Sequence, residues 1–171
     1  DHGKTSLLDS IRQTTVVEKE SGRITQAIGA SIVPAETIQR LCSKLIKRMK
    51  LELKIPGLLF IDTPGHAAFS TLRRRGGNLA DIAILVVDIN EGLKPQTIEA
   101  IEILKEYKTP FVVSLNKIDL INGWRSYPDL SLLESIGKQG EPIKALLEQR
   151  LYEFVGQLFK YGLNSERFDR V

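Results

Sequence analysis

The chain has 171 residues, with 24 Lys and Arg against 21 Asp and Glu, which gives a formal net charge of +3. This length fits one domain with a real hydrophobic core, and 42% hydrophobic with 26% charged residues is ordinary for a globular protein. The small positive charge permits contact with RNA without indicating it, the single Cys42 excludes an internal disulfide framework, and no apolar run approaches the length of a membrane span. We therefore expect a cytoplasmic protein without a membrane partner.

The first six residues read Asp-His-Gly-Lys-Thr-Ser and lead directly into a stretch with apolar residues at helical spacing. Gly-Lys-Thr is the second half of the phosphate-binding loop pattern G-x-x-x-x-G-K-[ST], in which backbone N–H groups surround the phosphates. In that pattern Lys4 reaches the outer phosphates and the Thr5 hydroxyl ligates Mg²⁺. We expect a helix from about Lys4 to Arg12 with its N-terminus facing the phosphates. Because the leading Gly and a preceding strand are missing, we expect this sequence to be a segment of a longer protein.

The segment 14–27 has no sustained period and contains Ser-Gly, which predicts a loop of the kind that is usually functional or mobile. Residues 29–33 predict a short strand ended by a proline, and apolar spacing predicts one helix over 35–48. The face of this helix is basic, with Arg40, Lys44, Lys47 and Arg48. A solvated helix face explains it better than an RNA-binding patch, which stays open as the alternative.

Three apolar, β-rich runs follow. The run 58–61 is continuously apolar, as in a strand covered on both faces, and it stops at Asp62. The run 82–87 stops at Asp88, Pro95 then opens a helix, and the run 110–115 stops at Asn-Lys-Ile-Asp. Strands separated by helices predict a mostly parallel sheet with helices on both faces. Ligands of such sheets bind beyond the carboxyl ends of the strands, where these polar residues stand.

The C-terminal part of the chain predicts a loop and then a long helix. Residues 121–140 are rich in Gly, Ser and Pro and contain Trp124, which indicates a loop. A last helix is predicted from about Glu141, and its spacing of three and four indicates core packing rather than a cofactor site. The apolar positions of this stripe are Ile143, Leu146, Leu147, Leu151, Phe154, Val155, Leu158 and Phe159.

Asp62 and Gly65 stand where a nucleotide hydrolase places metal and phosphate contacts. The Asp62 carboxylate, closing an apolar strand, would hold Mg²⁺ through its water shell. Gly65 would supply an N–H and a backbone able to follow the presence or loss of a terminal phosphate. Taken alone, an Asp at a strand end is more often a turn former, and Pro-Gly is only a turn. Their order after the Gly-Lys-Thr motif is what favours the functional interpretation.

The segment Asn116-Lys117-Ile118-Asp119 distinguishes guanine from adenine. A carboxylate at Asp119 accepts from the ring N–H and the exocyclic amine of guanine, whereas adenine would leave that charge unpaired. The Asn116 amide would meet the opposite edge of the base and tie this loop to the phosphate loop, while the aliphatic stem of Lys117 covers the base face. A surface turn is the alternative for Asn-Lys-x-Asp alone. Three motifs in the right order, two of them directly after buried strands, favour a GTP site.

The motifs DHGKT, RITQ at 23–26, DTPGH at 62–66 and NKID at 116–119 together resemble those of the translational GTPases. Two longer stretches, GRITQAIGAS at 22–31 and IPGLLFIDTPGHAAFSTLRRRG at 55–76, are similar to the initiation factor 5B family of archaea and eukaryotes. That family joins ribosomal subunits and is related to bacterial initiation factor two. The resemblance covers nearly the whole chain.

The resemblance implies roles for individual residues. Thr25 matches the switch threonine that ligates Mg²⁺ and senses the terminal phosphate, and Ile24 matches one wing of an apolar gate. His66 matches the residue that positions the attacking water, although without the family a satisfied surface histidine is the better interpretation. Asp1 and His2 would contact phosphate mainly through backbone. The implied nucleotide contacts are Asp1, His2, Gly3, Lys4, Thr5, Ser6, Gly65, Asn116, Lys117 and Asp119, and the implied Mg²⁺ contacts are Thr5, Thr25 and Asp62.

The resemblance also implies a fold and a function. The fold is an α/β P-loop GTPase domain over 1–171, truncated at both ends, so that the first and last strands are missing and the isolated segment should not fold stably. Residues 120–171 look like an insertion of a loop and a helix. The implied function is a GTP/GDP switch in translation initiation, in which both ribosomal subunits, initiator tRNA and other initiation factors are partners and large-subunit RNA activates hydrolysis.

Three alternatives stay open. They are an elongation or tRNA-delivery factor, a regulatory GTPase outside translation, and a binding module of the same fold without turnover. The presence together of Lys4, Thr5, Thr25, Asp62 and His66 argues against the last of these.

Overall fold

A computed structural model describes residues 2–16, 30–62 and 80–170 of the chain. The chain divides into two compact units, one formed by Asp1–Gly3 and Asn78–Val171 and the other by Lys4–Gly77. None of the helices in the described ranges is long and apolar enough to cross a membrane.

In its described ranges, 4–16 and 30–62, the unit Lys4–Gly77 contains helices and an antiparallel strand pair. Strands β1 and β2 pair in a register that runs from Ala30 opposite Ile61 to Pro34 opposite Gly57. Arg12 of the first helix donates from Nε to the Ser31 hydroxyl at 2.6 Å, which ties that helix to the pair. The elements are α1 (Lys4–Val16), β1 (Ala30–Pro34), α2 (Ala35–Leu41), α3 (Ser43–Met49) and β2 (Gly57–Ile61).

Several predictions for this unit need correction. Helix α1 runs one turn beyond Arg12, so that positions 14–16 are helical rather than loop, while 17–29 lie outside the described residues. The single helix predicted over 35–48 is two helices separated at Cys42, whose ψ of 15° leaves the helical range. The basic side chains of α2 and α3 are exposed, as expected for a solvated face.

Strand β2 also differs from its prediction. Its apolar run indicated a strand covered on both faces, yet Leu59 is 59% exposed and Ile61 46% exposed. In the part of the chain that the structure describes, β2 pairs with β1 and runs antiparallel to it. A continuous apolar run reports the environment that a strand can occupy, and it does not specify the direction of its neighbour.

The other unit is built around a parallel strand pair. Strands β3 and β4 are parallel, as predicted, and they pair from Ala83 opposite Phe111 to Asp88 opposite Asn116, so that both strands end at the same level. Pro95 stands in the first turn of the following helix, where its missing N–H costs nothing. The elements are β3 (Ala83–Asp88), α4 (Pro95–Glu106), β4 (Phe111–Asn116), a 3₁₀ turn (Ile118–Leu120), α5 (Leu132–Gly137) and α6 (Glu141–Lys160).

Helix α6 packs one stripe of side chains into this unit. Phe154 and Leu158 lie in a cluster with Leu85, Val87 and Ile101 of β3 and α4. Leu147 lies in a second cluster with Ile89 and Ile121. Phe159 was predicted on the same stripe but is 68% exposed. Adjacent helix positions differ by about 100°, and here Leu158 faces the core while Phe159 faces away from it.

Helix α5 lies inside a segment that we predicted to be a loop. It begins with a capping box, in which Ser131 Oγ accepts from the Glu134 N–H at 3.4 Å and Glu134 Oε2 accepts from the Ser131 N–H at 2.9 Å. The pattern Ser-Leu-Leu-Glu at 131–134 is the sequence signature of this cap, so the helix could have been found. The helix has only six residues and would be marginal without this cap.

We expect Ser131→Ala to destabilise α5 by about 1 kcal/mol, because it removes the acceptor of the capping N–H. The measurement is amide hydrogen exchange of residues 132–137, which should open about fivefold more often. Ser126→Ala is the matched control, since Ser126 is exposed and caps no helix. Equal exchange in the two variants would show that the cap does not support the helix.

Candidate nucleotide site

The candidate site lies at the carboxyl ends of β3 and β4. Their last residues, Asp88 and Asn116, are opposite each other in the parallel register. The turns that leave the two strands therefore meet, and they bring Asn90 beside Lys117, whose carbonyl accepts from Asn90 Nδ2 at 3.1 Å. His2 and Gly3 belong to the same compact unit and lie against these turns.

Asn116 joins the NKID segment to His2, the residue before Gly3. Its Nδ2 donates to the carbonyl of His2 at 3.0 Å, which is the connection between the two loops that the sequence predicted. Gly3 permits this approach in two ways. Its φ is +90°, which is strained for an L side chain, and a Cβ there would collide with the Asn116 amide.

The His2 side chain is held by β3 and the turn after it. Its Nδ1 lies 3.3 Å from the carbonyl oxygen of Val86, and its Nε2 lies 3.4 Å from Glu91 Oε2. Lys94 Nζ lies 3.8 Å from the same Glu91 oxygen. The imidazole is thus engaged within the unit, which is compatible with phosphate contact through backbone alone.

Asp88 is a site residue that sequence reasoning missed. It is 4% exposed, its Oδ1 accepts from the Asn90 backbone N–H at 2.8 Å and from Asn90 Nδ2 at 3.1 Å, and its Oδ2 lies 2.9 Å from Lys117 Nζ. Burial alone would raise the pKa of this carboxyl, but hydrogen bonds from Lys117 and Asn90 outweigh it and hold the pKa below its usual value. The sequence did contain a signal for this residue: Asp88 follows the apolar run of β3, just as Asn116 follows that of β4.

Lys117 is fixed at both ends. Its backbone is left-handed, with φ 62° and ψ 36°, and its ammonium is paired with Asp88. Asn90, which donates to the Lys117 carbonyl, accepts in turn from Arg150 Nη1 of α6 at 3.0 Å. The aliphatic stem of Lys117 is therefore stretched between a fixed backbone and a fixed charge, as a side chain that covers a base would need to be.

Asp119 stands in the 3₁₀ turn directly after Lys117 and is exposed. Within the ranges that the structure describes, its carboxylate makes no hydrogen bond or ion pair. An ionised carboxylate presents acceptors only, so it can take a paired set of N–H donors from a ligand.

The residues present fit a Mg²⁺ ion that arrives with a nucleotide. Thr5 is exposed in the first turn of α1, and Asp62 is half-buried directly after β2, in the same compact unit. The described residues contain no group of three or more His, Cys, Asp or Glu side chains that could hold a metal. One hydroxyl and one carboxylate suit Mg²⁺, which binds through one or two protein ligands, waters and substrate phosphates. Lys4 and Ser6, the remaining predicted loop contacts, are exposed beside Thr5 at the start of α1.

Four predicted site residues lie outside the described residues. They are Asp1, Thr25, Gly65 and His66. Their roles stay predictions.

Residues 1–162 match the family described as the elongation factor Tu GTP binding domain. The chain belongs to this family. It is 57% identical over 171 residues to a probable translation initiation factor IF-2 of Methanopyrus kandleri, covering 100% of this chain and 29% of that protein. It is 60% identical over 174 residues to the protein of the same name in Ignicoccus hospitalis, covering 100% of this chain and 28% of that one.

A solved structure gives the same result for the fold. The crystal structure titled GDP-bound aIF5B from Aeropyrum pernix matches with a TM-score of 0.89 and 57% identity, over 100% of this chain and 29% of that chain. The predicted α/β P-loop GTPase fold and the resemblance to the initiation factor family are thereby confirmed. The chain spans less than a third of the length of these archaeal relatives.

We expect Asp88→Asn to lower the free energy of unfolding by about 1–3 kcal/mol near neutral pH, because it removes a charged hydrogen-bond partner of Lys117. The folded pKa of Asp88 lies below its unfolded value of about 3.9, so its contribution is complete above that pH and is lost as the pH falls through the folded pKa. Urea unfolding of the full-length wild type and variant across this range should therefore show a difference in unfolding free energy that shrinks below about pH 4. Asp129→Asn, at an exposed position, is the control. A difference independent of pH would contradict the role of the ionised Asp88.

Proposed function

We propose that the chain is the GTP-binding domain of a translation initiation factor that binds GTP and GDP with Mg²⁺ and hydrolyses GTP on the assembled ribosome. The observation that carries the proposal is the hydrogen bond from Asn116 to the His2 carbonyl across Gly3. It joins the segment that would read the base to the segment that would hold the phosphates. The role in translation initiation is supported by the names of the archaeal relatives and by their sequence identity with this chain.

Base selection would rest on Asp119 and Asn116. The Asp119 carboxylate, which is exposed and has no partner among the described residues, suits the N–H pair of guanine. A site that depends on such bonds rejects a base without them by about 10⁴ or more. Lys117, fixed by Asp88, would cover one face of the base.

Hydrolysis would proceed by in-line attack of water on the terminal phosphate. Lys4 and backbone N–H groups of the phosphate loop would stabilise the charge that spreads over the phosphoryl oxygens, and Mg²⁺, held through Thr5, Thr25 and Asp62, supplies further charge neutralisation when bound. His66 would position the water, and Thr25 would change its contacts between the two nucleotide states. The sequence has no arginine at an identifiable finger position, which agrees with slow hydrolysis in the absence of an activator.

The proposed partners follow from the initiation role. Both ribosomal subunits would bind the whole protein, RNA of the large subunit would place His66, and initiator tRNA would be contacted by domains outside 1–171. Other initiation factors complete the set, and the cytoplasm is the compartment where these partners occur. Within the domain we propose 120–171 as an insertion.

Replacing Asp119 by Asn should weaken GTP binding by at least about a hundredfold and shift preference towards xanthine nucleotides, because the amide now offers a donor to the changed base. The measurement is competition between GTP and XTP for the full protein. Asp129→Asn should leave both affinities unchanged. Undiminished guanine preference in Asp119→Asn would remove this residue from the base site.

Replacing His66 by Ala should leave GTP affinity within a few-fold and reduce ribosome-stimulated turnover by about 10² or more, since only positioning of the water is lost. Single-turnover hydrolysis with and without ribosomes measures both quantities. Unchanged stimulated turnover would contradict the assignment. Turnover at full rate without ribosomes in the wild type would instead favour a GTPase outside translation.

A further inference from the structure

A cleft of about 320 Å³ lies outside the nucleotide site, between the 121–130 loop and the junction of α5 with α6. This volume is at the small end of ligand-binding pockets and suits one small group rather than a folded partner. The residues that line it are Gly123, Arg125, Lys138, Gln139, Gly140 and Ile143.

A buried glutamine builds one wall of this cleft. Gln139 is 4% exposed, and its Nε2 donates to the Arg125 carbonyl at 2.7 Å and to the Ser135 carbonyl at 3.0 Å. Its Oε1 accepts from the Arg125 N–H at 3.0 Å. Both donors and the acceptor of the amide are therefore used, and they fix the backbone of Arg125 against the end of α5. The backbone from which the Arg125 side chain leaves is therefore held by a buried side chain.

The cleft carries two positive charges, on Arg125 and Lys138. In the ranges that the structure describes, neither the Arg125 guanidinium nor the Lys138 ammonium pairs with a carboxylate. Lys138 Nζ lies 5.7 Å from the centroid of the Tyr127 ring, a contact that leaves its charge intact.

The nearby acids are engaged elsewhere or lie off the cleft. Glu134 caps α5, and Glu141 pairs with Lys144 at 2.9 Å. Asp129 is exposed and does not line the cleft. The wall that a ligand would meet is therefore cationic.

We propose that this cleft binds a backbone phosphate of ribosomal RNA, with Arg125 and Lys138 as its two cationic contacts. The proposal rests on the proposed function, because that function brings the domain to the ribosome. Guanidinium and ammonium groups are the side chains that recognise phosphate. Trp124 and Tyr127, both half-buried, stand on either side of Arg125 along this loop, and aromatic rings beside cations are typical of surfaces that follow unpaired nucleotides.

The first test is binding of the full protein, loaded with a non-hydrolysable GTP analogue, to large ribosomal subunits at several salt concentrations. Arg125→Gln with Lys138→Gln should weaken binding about five- to tenfold and reduce the slope of log affinity against log salt by about 1. The matched control is Lys108→Gln with Lys160→Gln, which also removes two positive charges, but from exposed positions of this unit that do not line the cleft. GTP affinity without ribosomes should be equal in all three proteins.

The outcomes separate the two proposals. Equal weakening of ribosome binding in both double variants would show that the cleft contributes only general surface charge. This result would overturn the inference while leaving the initiation role intact. Failure of the wild type to bind ribosomal subunits would overturn the proposed function and this inference with it.

A second measurement tests the nature of the partner. A photoreactive amino acid in place of Ser126, which is exposed between Arg125 and Tyr127, should cross-link to ribosomal RNA in the wild-type complex. The cross-link should fall in the Arg125→Gln, Lys138→Gln background. A cross-link to a ribosomal protein instead would show that the cleft meets a protein and would overturn the RNA assignment.

Discussion

The parallel, in-register pairing of β3 with β4 is the constraint on which the candidate site depends. Because Asp88 and Asn116 end their strands at the same level, the turns that follow have to meet, and they do so through the Asp88–Lys117 ion pair at 2.9 Å. A slip by one residue would turn the alternating side chains to the opposite faces and separate the two ends. The contact of Asn116 with His2 depends on the same register, since Asn116 is the last residue of β4.

An almost fully buried carboxylate at Asp88 is costly unless each of its oxygens has a partner. Asn90 supplies two donors to one oxygen and Lys117 supplies a charge to the other. Asn90 and Lys117 thereby lose freedom, and Lys117, whose left-handed backbone already costs energy in a non-glycine residue, is held in the conformation that a base-covering side chain needs. Stability and preorganisation of the candidate site thus come from the same contacts.

The features that sequence predicted well are those with a local cause. Apolar runs located β3 and β4, Pro95 located the start of α4, and the spacing of Leu147, Phe154 and Leu158 located the core face of α6. The antiparallel direction of β2, the break at Cys42 and the partnership of Asp88 with Lys117 depend on which segments meet in three dimensions, which local patterns do not specify. Helix α5 was missed for a different reason. Its signal, the capping box, is local, but the Gly-, Ser- and Pro-rich composition of 121–140 favoured a loop prediction.

Helix α6, which lies in the proposed insertion, contributes both to the core and to the turn after β3. Its Phe154 and Leu158 complete the core beneath β3, and two of its polar residues brace the turn after that strand. Arg150 donates to Asn90 Oδ1 at 3.0 Å, and Gln157 Oε1 accepts from the Leu93 N–H at 3.2 Å. Because Asn90 also holds Asp88 and the Lys117 carbonyl, it connects the helix to the candidate base loop. Gly140, the N-cap of the same helix, lines the cationic cleft, so a phosphate bound there would lie beside an element that already supports the candidate nucleotide site.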